Sequence, residues 1–192
     1  MVFAHAHVFI DYKVHAVFDE DGLEGVFINW SFDRMFSAFI KNEFDTDNTN
    51  ELNEEQQRKV KEGAFHNLRG DLYFANILVN GEEVAIPDPE QFTARLDNNV
   101  AEYTFFFPLS LEATSETQEV EIYFYDPVIF VAYTLHDRGL SIQNKAEDQI
   151  EASMERKQRR YISRAIINFS RKWHTTEDPF DSPLCKAVPF FS

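Results

Sequence analysis

Two histidines separated by one residue stand near the start of the chain, as His5-Ala6-His7. On an extended strand, side chains two residues apart point to the same side, about 6.6 Å apart at a rise of about 3.3 Å per residue. Two imidazoles at that separation can lean together on one ion, and imidazole suits zinc, copper and nickel. The pair therefore predicts part of a transition-metal site. The alternative is that both histidines are exposed polar residues on a terminal strand.

The remaining ligands of such a site must come from elsewhere in the fold. His136 follows an aromatic stretch, and Asp137 beside it could orient the imidazole, although a solvated turn histidine is the commoner role. The further candidate ligands are Asp137, His66, Asp126 and His174. Asp11 lies four residues from His7, about 13 Å along a strand, so the two cannot share one ion directly.

A second metal motif spans residues 45–56, which match the 12-residue calcium loop of EF-hands. The oxygen-ligand positions are filled by Asp45, Asp47 and Thr49, the carbonyl of Glu51, and Gln56. Two positions depart from the motif: Asn50 replaces the glycine, and Gln56 replaces the bidentate glutamate. We therefore expect calcium binding that is weak or absent. The alternative is a helix–loop–helix kept as a structural turn.

The composition excludes several classes of protein. The chain has 18 Lys and Arg against 33 Asp and Glu, a net charge of −15, which repels nucleic-acid phosphates. A single cysteine, Cys185, excludes an intrachain disulfide and a multi-thiolate zinc site. No serine has the surroundings of a nucleophile elbow, and no glycine-rich loop could hold a phosphate. We therefore predict a non-enzymatic protein. The longest apolar runs, such as Val128–Tyr133, are far shorter than the about 20 residues of a spanning helix, so no membrane-spanning helix is expected.

The elements that must position these residues are mostly strands. Alternating residues predict a hairpin of residues 2–18 and 23–32, then a helix capped by Asp33 and a second helix from Asn53. Further strands are predicted at residues 72–79, 83–86, 92–96, 101–109, 119–125 and 129–135. Beyond residue 145, helical spacing of apolar residues among basic ones predicts an amphipathic helix. Its apolar residues are Ile150, Met154, Tyr161, Ala165, Phe169 and Trp173.

Together these elements predict an α+β fold, a mainly antiparallel, sandwich-like β-sheet structure with an inserted helix–loop–helix. Residues 1–144 are expected to form a β-rich domain with the EF-hand-like insertion at about 33–69. Residues 145–192 are expected to supply a C-terminal helix and an irregular tail packed on that domain.

The first residues predict an exported protein. Val2-Phe3-Ala4 resembles the last residues before a signal-peptidase cut, with small residues at the −3 and −1 positions. We therefore expect a periplasmic mature chain that begins at His5, after a cleaved signal peptide. The α-amino group of that mature chain, with a pKa of about 7.7–8.0, would add a third nitrogen donor.

With these residues in view, the chain resembles a ZevA-like family of bacterial periplasmic proteins of unknown function, associated with metal transport. The matching segments are His5–Asp11, Trp30–Ser37, Phe44–Glu55, Leu72–Phe74 and Phe124–Pro127, in the same order over roughly residues 4–135. The sequence departs from the family pattern at Ala6, where proline is usual, and at Arg34, where an acidic residue is usual.

The resemblance implies a metal-binding accessory protein that partners a NicO-type inner-membrane permease for zinc, nickel or cobalt. It carries over His5, His7 and Asp11 as the functional start of the chain. It also carries over Asp45, Asp47, Thr49 and Glu51 as a calcium-type loop. The competing prediction is a non-catalytic interaction module in which that loop is structural or vestigial.

Overall fold

The secondary structure is dominated by strands. The computed structural model describes residues 6–45, 47, 49 and 51–172. The strands of this part are β1 (Val8–Phe18), β2 (Gly22–Phe32), β3 (Ala75–Val79), β4 (Glu82–Glu83), β5 (Glu90–Asp97), β6 (Val100–Glu112), β7 (Gln118–Phe124), β8 (Val131–Asn144), β9 (Ile150–Arg159) and β10 (Ile162–Arg171). The helices are α1 (Arg34–Phe44) and α2 (Glu54–Val60), followed by a π-helical turn at Lys61–Phe65 and 3-10 turns over His66–Phe74.

The strands form two five-stranded sheets. The first sheet has the order β5-β6-β2-β1-β8, and the second has the order β4-β3-β7-β10-β9. All pairs are antiparallel except β1 with β8, which run parallel. The predicted mainly antiparallel structure with a helical insertion is therefore confirmed in outline. The parallel pair was not predicted from the sequence, and it places the start of β1 beside the start of β8.

Aromatic side chains fill the space between the sheets. Tyr12 of the first sheet packs edge-on against Phe124 of the second, with ring centroids 5.0 Å apart. Phe18 and Phe169 make a similar contact at 5.4 Å. Trp30 is fully buried and also contacts the Phe124 ring. Aromatic pairs of this geometry contribute about 0.5–1.5 kcal/mol each beyond their buried area, so they explain how a phenylalanine-rich sequence holds the two sheets together.

Side chains cap both inserted helices, and one side chain ties α1 to the first sheet. The Asp33 carboxylate accepts the backbone N–H groups of Met35 and Phe36, which caps α1 as predicted. Asn53 caps α2, and its partner Gln56 completes a reciprocal capping box. Inside α1, the buried Ser37 hydroxyl accepts the N–H of Ala101 at 2.9 Å and so ties this helix to β6.

The predicted C-terminal amphipathic helix is wrong. Its residues up to Arg171 form β9 and β10, and β10 lies between β7 and β9 in the second sheet. Trp173 and the predicted irregular tail lie outside the described residues. The apolar residues that suggested a helical face also fit a strand pattern, since Ala165, Ile167 and Phe169 alternate and are buried. Residues 150–171 are therefore part of the sandwich.

A smaller correction concerns the predicted strand over residues 72–79. The strand starts only at Ala75. Leu72, Tyr73 and Phe74 are three consecutive residues with positive φ angles of 52–56°, and such a run is incompatible with extended strand backbone. These residues instead reverse the chain between the helical insertion and β3.

Candidate functional site

The EF-hand-like loop joins the two helices of the insertion. The N–H of Asp45 closes the last turn of α1 on the carbonyl of Lys41. Asn53 then opens α2, so the loop leaves one helix end and enters the next. All five predicted ligand residues are described, whereas Asn50 lies outside the described residues.

The Thr49 hydroxyl lies among the oxygens of the loop. It lies 3.3 Å from Oδ1 of Asp47, 3.5 Å from Oδ1 of Asp45 and 3.1 Å from the carbonyl oxygen of Glu51. The backbone N–H of Thr49 also donates to Oδ1 of Asp45 at 3.1 Å. The oxygens that the motif assigns to its first, third, fifth and seventh positions therefore converge, as a calcium loop requires.

Gln56 adds hydrogen bonds to this cluster. Its Nε2 donates to Oδ1 of Asp47 at 3.0 Å, while its Oε1 accepts the N–H of Asn53 at 2.8 Å. The hydrogen bond from Gln56 is the largest of the effects that hold the pKa of Asp47 below its ordinary value of 3.8. The amide thus presents a donor, and not an oxygen, to the carboxylate of Asp47.

The donor set of the loop fits a hard cation better than a transition metal. It consists of carboxylate, hydroxyl and carbonyl oxygens, the ligands that Ca²⁺ prefers, and it contains no imidazole or thiolate. Asp45 is only 3% exposed, so its charge lies where a cation would be least screened. Gln56 must turn its amide, and so give up a hydrogen bond, before it can offer an oxygen.

The N-terminal histidines are placed only in part, because His5 lies outside the described residues. The backbone N–H of His7 donates to the carbonyl of Phe130 at 2.8 Å, and its imidazole packs beside the Phe130 ring at 5.3 Å. The side chain of His7 is exposed. It stands at the start of β1, next to the segment that leads into β8.

The other predicted transition-metal ligands do not gather around His7. Asp11 lies on the exposed face of β1 opposite Thr134. His136 comes two residues later on β8, where the register with β1 breaks, and its Nδ1 accepts the N–H of Arg138 at 3.2 Å. Within residues 6–45, 47, 49 and 51–172, no group of three or more His, Cys, Asp and Glu side chains is placed to hold a metal. The predicted site therefore still depends on His5.

The remaining candidates have other positions. Asp137 forms an ion pair with Arg156, and His66 is exposed on the helical insertion. Asp126 is buried, and its carboxylate accepts the backbone N–H groups of Val128, Phe130 and Val131, each at 2.9 Å. Asp126 therefore anchors a loop. His174 lies outside the described residues.

The loop that Asp126 anchors was not predicted from the sequence. It joins β7 to β8 and exposes three consecutive apolar residues beside His7. An Asp-Pro pair directly after a strand was the available signal, because an aspartate side chain can bond to backbone groups just ahead of it in a turn.

Comparison with known proteins identifies the family. A family model described as a protein of unknown function, DUF1007, matches residues 1–164. The chain belongs to this family. Among its relatives is an uncharacterized 15.5 kDa protein in the trpE 3′ region of Spirochaeta aurantia, 28% identical over 80 residues, or 42% of this chain and 56% of the relative. An uncharacterized protein of Haemophilus influenzae is 23% identical over 135 residues, or 69% of this chain and 64% of the relative.

Membership in DUF1007 does not assign an activity, a location or a partner to this chain. The chain spans less than two thirds of the length of either relative, and neither has a described activity. The periplasmic location and the permease partner therefore stay predictions. In the part of the chain that the structure describes, none of the helices combines the length and apolar character needed to cross a membrane.

Proposed function

We propose that this DUF1007 protein is a non-catalytic, periplasmic, metal-binding accessory protein that works with a NicO-type permease for zinc, nickel or cobalt. The observation that supports a cation site, here for Ca²⁺, is the cluster of oxygens around Thr49 in the loop of residues 45–56. Transition-metal binding is proposed from the histidines at the start of the chain. The permease partner and the location are supported by the ZevA-like resemblance.

The loop is proposed to bind Ca²⁺ and to brace the helical insertion. Two carboxylates, Asp45 and Asp47, lie within reach of one hydroxyl, and a divalent cation between them would relieve their mutual repulsion. Gln56 opposes binding, since its amide already satisfies Asp47. The expected dissociation constant is therefore at the weak end for such loops, about 10⁻⁴–10⁻³ M.

A transition metal is proposed to bind separately at the start of the chain. The imidazole of His7 is exposed, and the backbone N–H of His7 donates to the carbonyl of Phe130. His5 is two residues earlier in the sequence. In a mature chain that begins at His5, the α-amino group supplies a further nitrogen. Such a nitrogen-rich set suits Cu²⁺, Ni²⁺ or Zn²⁺ and leaves Ca²⁺ to the loop.

Isothermal titration separates the two proposed sites. The mature protein beginning at His5 is titrated with Zn²⁺, Ni²⁺, Cu²⁺ and Ca²⁺, alongside a His5→Ala/His7→Ala variant and an Asp45→Asn/Asp47→Asn variant. The histidine variant is expected to lose transition-metal binding and keep Ca²⁺ binding. The aspartate variant is expected to show the reverse. Transition-metal binding that survives the loss of both histidines would refute the N-terminal assignment.

One observation favours a second function, a non-catalytic interaction module whose loop is structural. The Gln56 amide donates to Asp47 and accepts from Asn53, so it occupies with a hydrogen-bond donor the position where a calcium loop has a bidentate carboxylate. On this alternative, none of the four metals binds the wild-type protein, and the aspartate variant loses only thermal stability.

A further inference from the structure

Three consecutive apolar side chains project from the segment between β7 and β8. Val128 is 69% exposed, Ile129 is 44% exposed and Phe130 is 53% exposed. Single exposed apolar residues are ordinary on protein surfaces, whereas a contiguous apolar patch marks a binding surface. We call residues 127–130 the apolar loop.

The apolar loop is held in a defined conformation. The buried carboxylate of Asp126 accepts the N–H groups of Val128, Phe130 and Val131, and the Asp126 carbonyl accepts that of Ile129. Ile129 has a φ of 58°, a left-handed conformation that is rare for a β-branched residue. The fold therefore maintains a strained backbone that displays apolar side chains, a pattern that points to function.

Further apolar side chains extend the patch on both sides. A groove of about 540 Å³ is bordered by Val128 and Phe130 on one side and by Leu72, which is 56% exposed, on the other. A second groove of about 370 Å³ separates Ile129 from Tyr161, which is 69% exposed. One end of the sandwich thus carries an apolar rim that runs from Leu72 to Tyr161.

Basic residues adjoin this rim in an otherwise acidic protein. Tyr161 follows Arg159 and Arg160, the exposed tip of the β9–β10 hairpin. Residues 150–172 contain seven basic and two acidic side chains, whereas the whole chain has a net charge of −15. Among the ion pairs of the described residues, Arg156 and Arg164 have acidic partners, but neither tip arginine takes part.

We propose that this end of the molecule docks on an anionic phospholipid bilayer. The apolar loop enters the interface at headgroup depth, while Arg159 and Arg160 face the lipid phosphates. Apolar side chains beside cations are the combination that such interfaces favour. The acidic remainder of the surface is repelled by the same membrane, and that repulsion turns the basic tip toward the bilayer.

The first test is co-sedimentation with vesicles, and it needs no metal or permease. Wild-type protein is expected to bind vesicles of phosphatidylglycerol and phosphatidylethanolamine and not vesicles of phosphatidylcholine. Arg159→Gln/Arg160→Gln should weaken binding about 25-fold, since each basic residue near an anionic surface contributes roughly fivefold. Val128→Ser/Phe130→Ser should weaken binding about tenfold or more, because it removes the inserted apolar area. The matched control Arg58→Gln/Lys59→Gln makes the same charge change on α2 and should bind like wild type.

A second measurement detects insertion of the apolar loop into the bilayer directly. Cys185→Ser removes the native thiol, and an environment-sensitive dye is attached at Val128→Cys or, as a control, at Glu116→Cys between β6 and β7. The dye at position 128 should brighten and shift to the blue on anionic vesicles, and the control dye should not.

Several outcomes overturn the proposal. These are failure to bind anionic vesicles, binding that neither double variant weakens, and equal dye signals at the two positions. Binding only to native membrane vesicles, lost after protease treatment of those vesicles, would assign the surface to a protein partner and would also overturn it.

Discussion

Replacing Gln56 by glutamate should turn the loop of residues 45–56 into a stronger calcium site. The new carboxylate keeps the oxygen that accepts the N–H of Asn53, so the helix cap survives. It loses the Nε2 donor that lies 3.0 Å from Oδ1 of Asp47 and places a charged oxygen there. Without calcium, this repulsion should lower the melting temperature. With calcium, the glutamate supplies the bidentate ligand that the loop otherwise lacks.

The size of the calcium effect follows from binding linkage. At a calcium concentration of about one hundred times the dissociation constant, binding stabilises the folded state by about 2.7 kcal/mol. For a chain of this size, about 1 kcal/mol shifts the melting temperature by roughly 2–4 °C, so a rise of about 5–10 °C is expected. A wild-type affinity that is about one hundredfold weaker yields about 0.4 kcal/mol and about 1 °C at the same concentration.

The assay is thermal unfolding followed by circular dichroism in excess chelator and in calcium. Gln91→Glu makes the same charge change on an exposed side chain of β5 and serves as the matched control. The control should show neither the loss in chelator nor the gain in calcium. A Gln56→Glu variant that melts with wild type in chelator, and gains no more from calcium, would refute the loop geometry described above.

Three further predictions concern stability. The deficit of Gln56→Glu in chelator should shrink as the pH falls below about 4, because the stability that the lowered pKa of Asp47 gives wild type is complete above the ordinary value of 3.8 and is lost as the pH falls through the lowered pKa; a constant deficit in acid denaturation would contradict this. Gly25→Ala should cost about 1–3 kcal/mol in urea unfolding, because its Cβ would lie 2.3 Å from a backbone carbonyl. Gly63→Ala, where nothing lies within 4 Å, should not destabilise, and equal effects would refute the argument. Asp126→Asn should cost about 1–3 kcal/mol through an unsatisfied backbone N–H and should speed hydrogen exchange in the apolar loop; unchanged exchange would show that the carboxylate is no anchor.

Local patterns predicted the local parts of this structure. The hairpin of β1 and β2, and the caps at Asp33 and Asn53, follow from alternation and capping chemistry within a few residues. The residues assigned to the calcium-like loop, Asp45, Asp47 and Thr49, lie close together for the same reason, because they are near neighbours in sequence. That they bind a cation stays a prediction. Such features depend on near neighbours, which the sequence shows directly.

Features that depend on distant partners were missed. The C-terminal helix was predicted wrongly because its residues include β10, which is a central strand. Ile166 is buried as well as its neighbours Ala165 and Ile167, so the strand alternation is hidden in the sequence. The parallel pairing of β1 with β8 joins segments more than 100 residues apart, and no local signal specifies it. The left-handed conformation of Ile129, which its residue type alone would disfavour, is held because Ile129 donates its N–H to the Asp126 carbonyl and its neighbour Phe130 donates to the Asp126 carboxylate.

The central claim, that the loop is a cation site, is tested most directly by an amide NMR titration with calcium. We predict progressive shifts of the backbone amides of Asp47, Thr49 and Glu51, together with the side-chain amide of Gln56 as it releases Asp47. Spectra that stay unchanged up to about 10 mM calcium, ten times the weak limit for such loops, would contradict the claim.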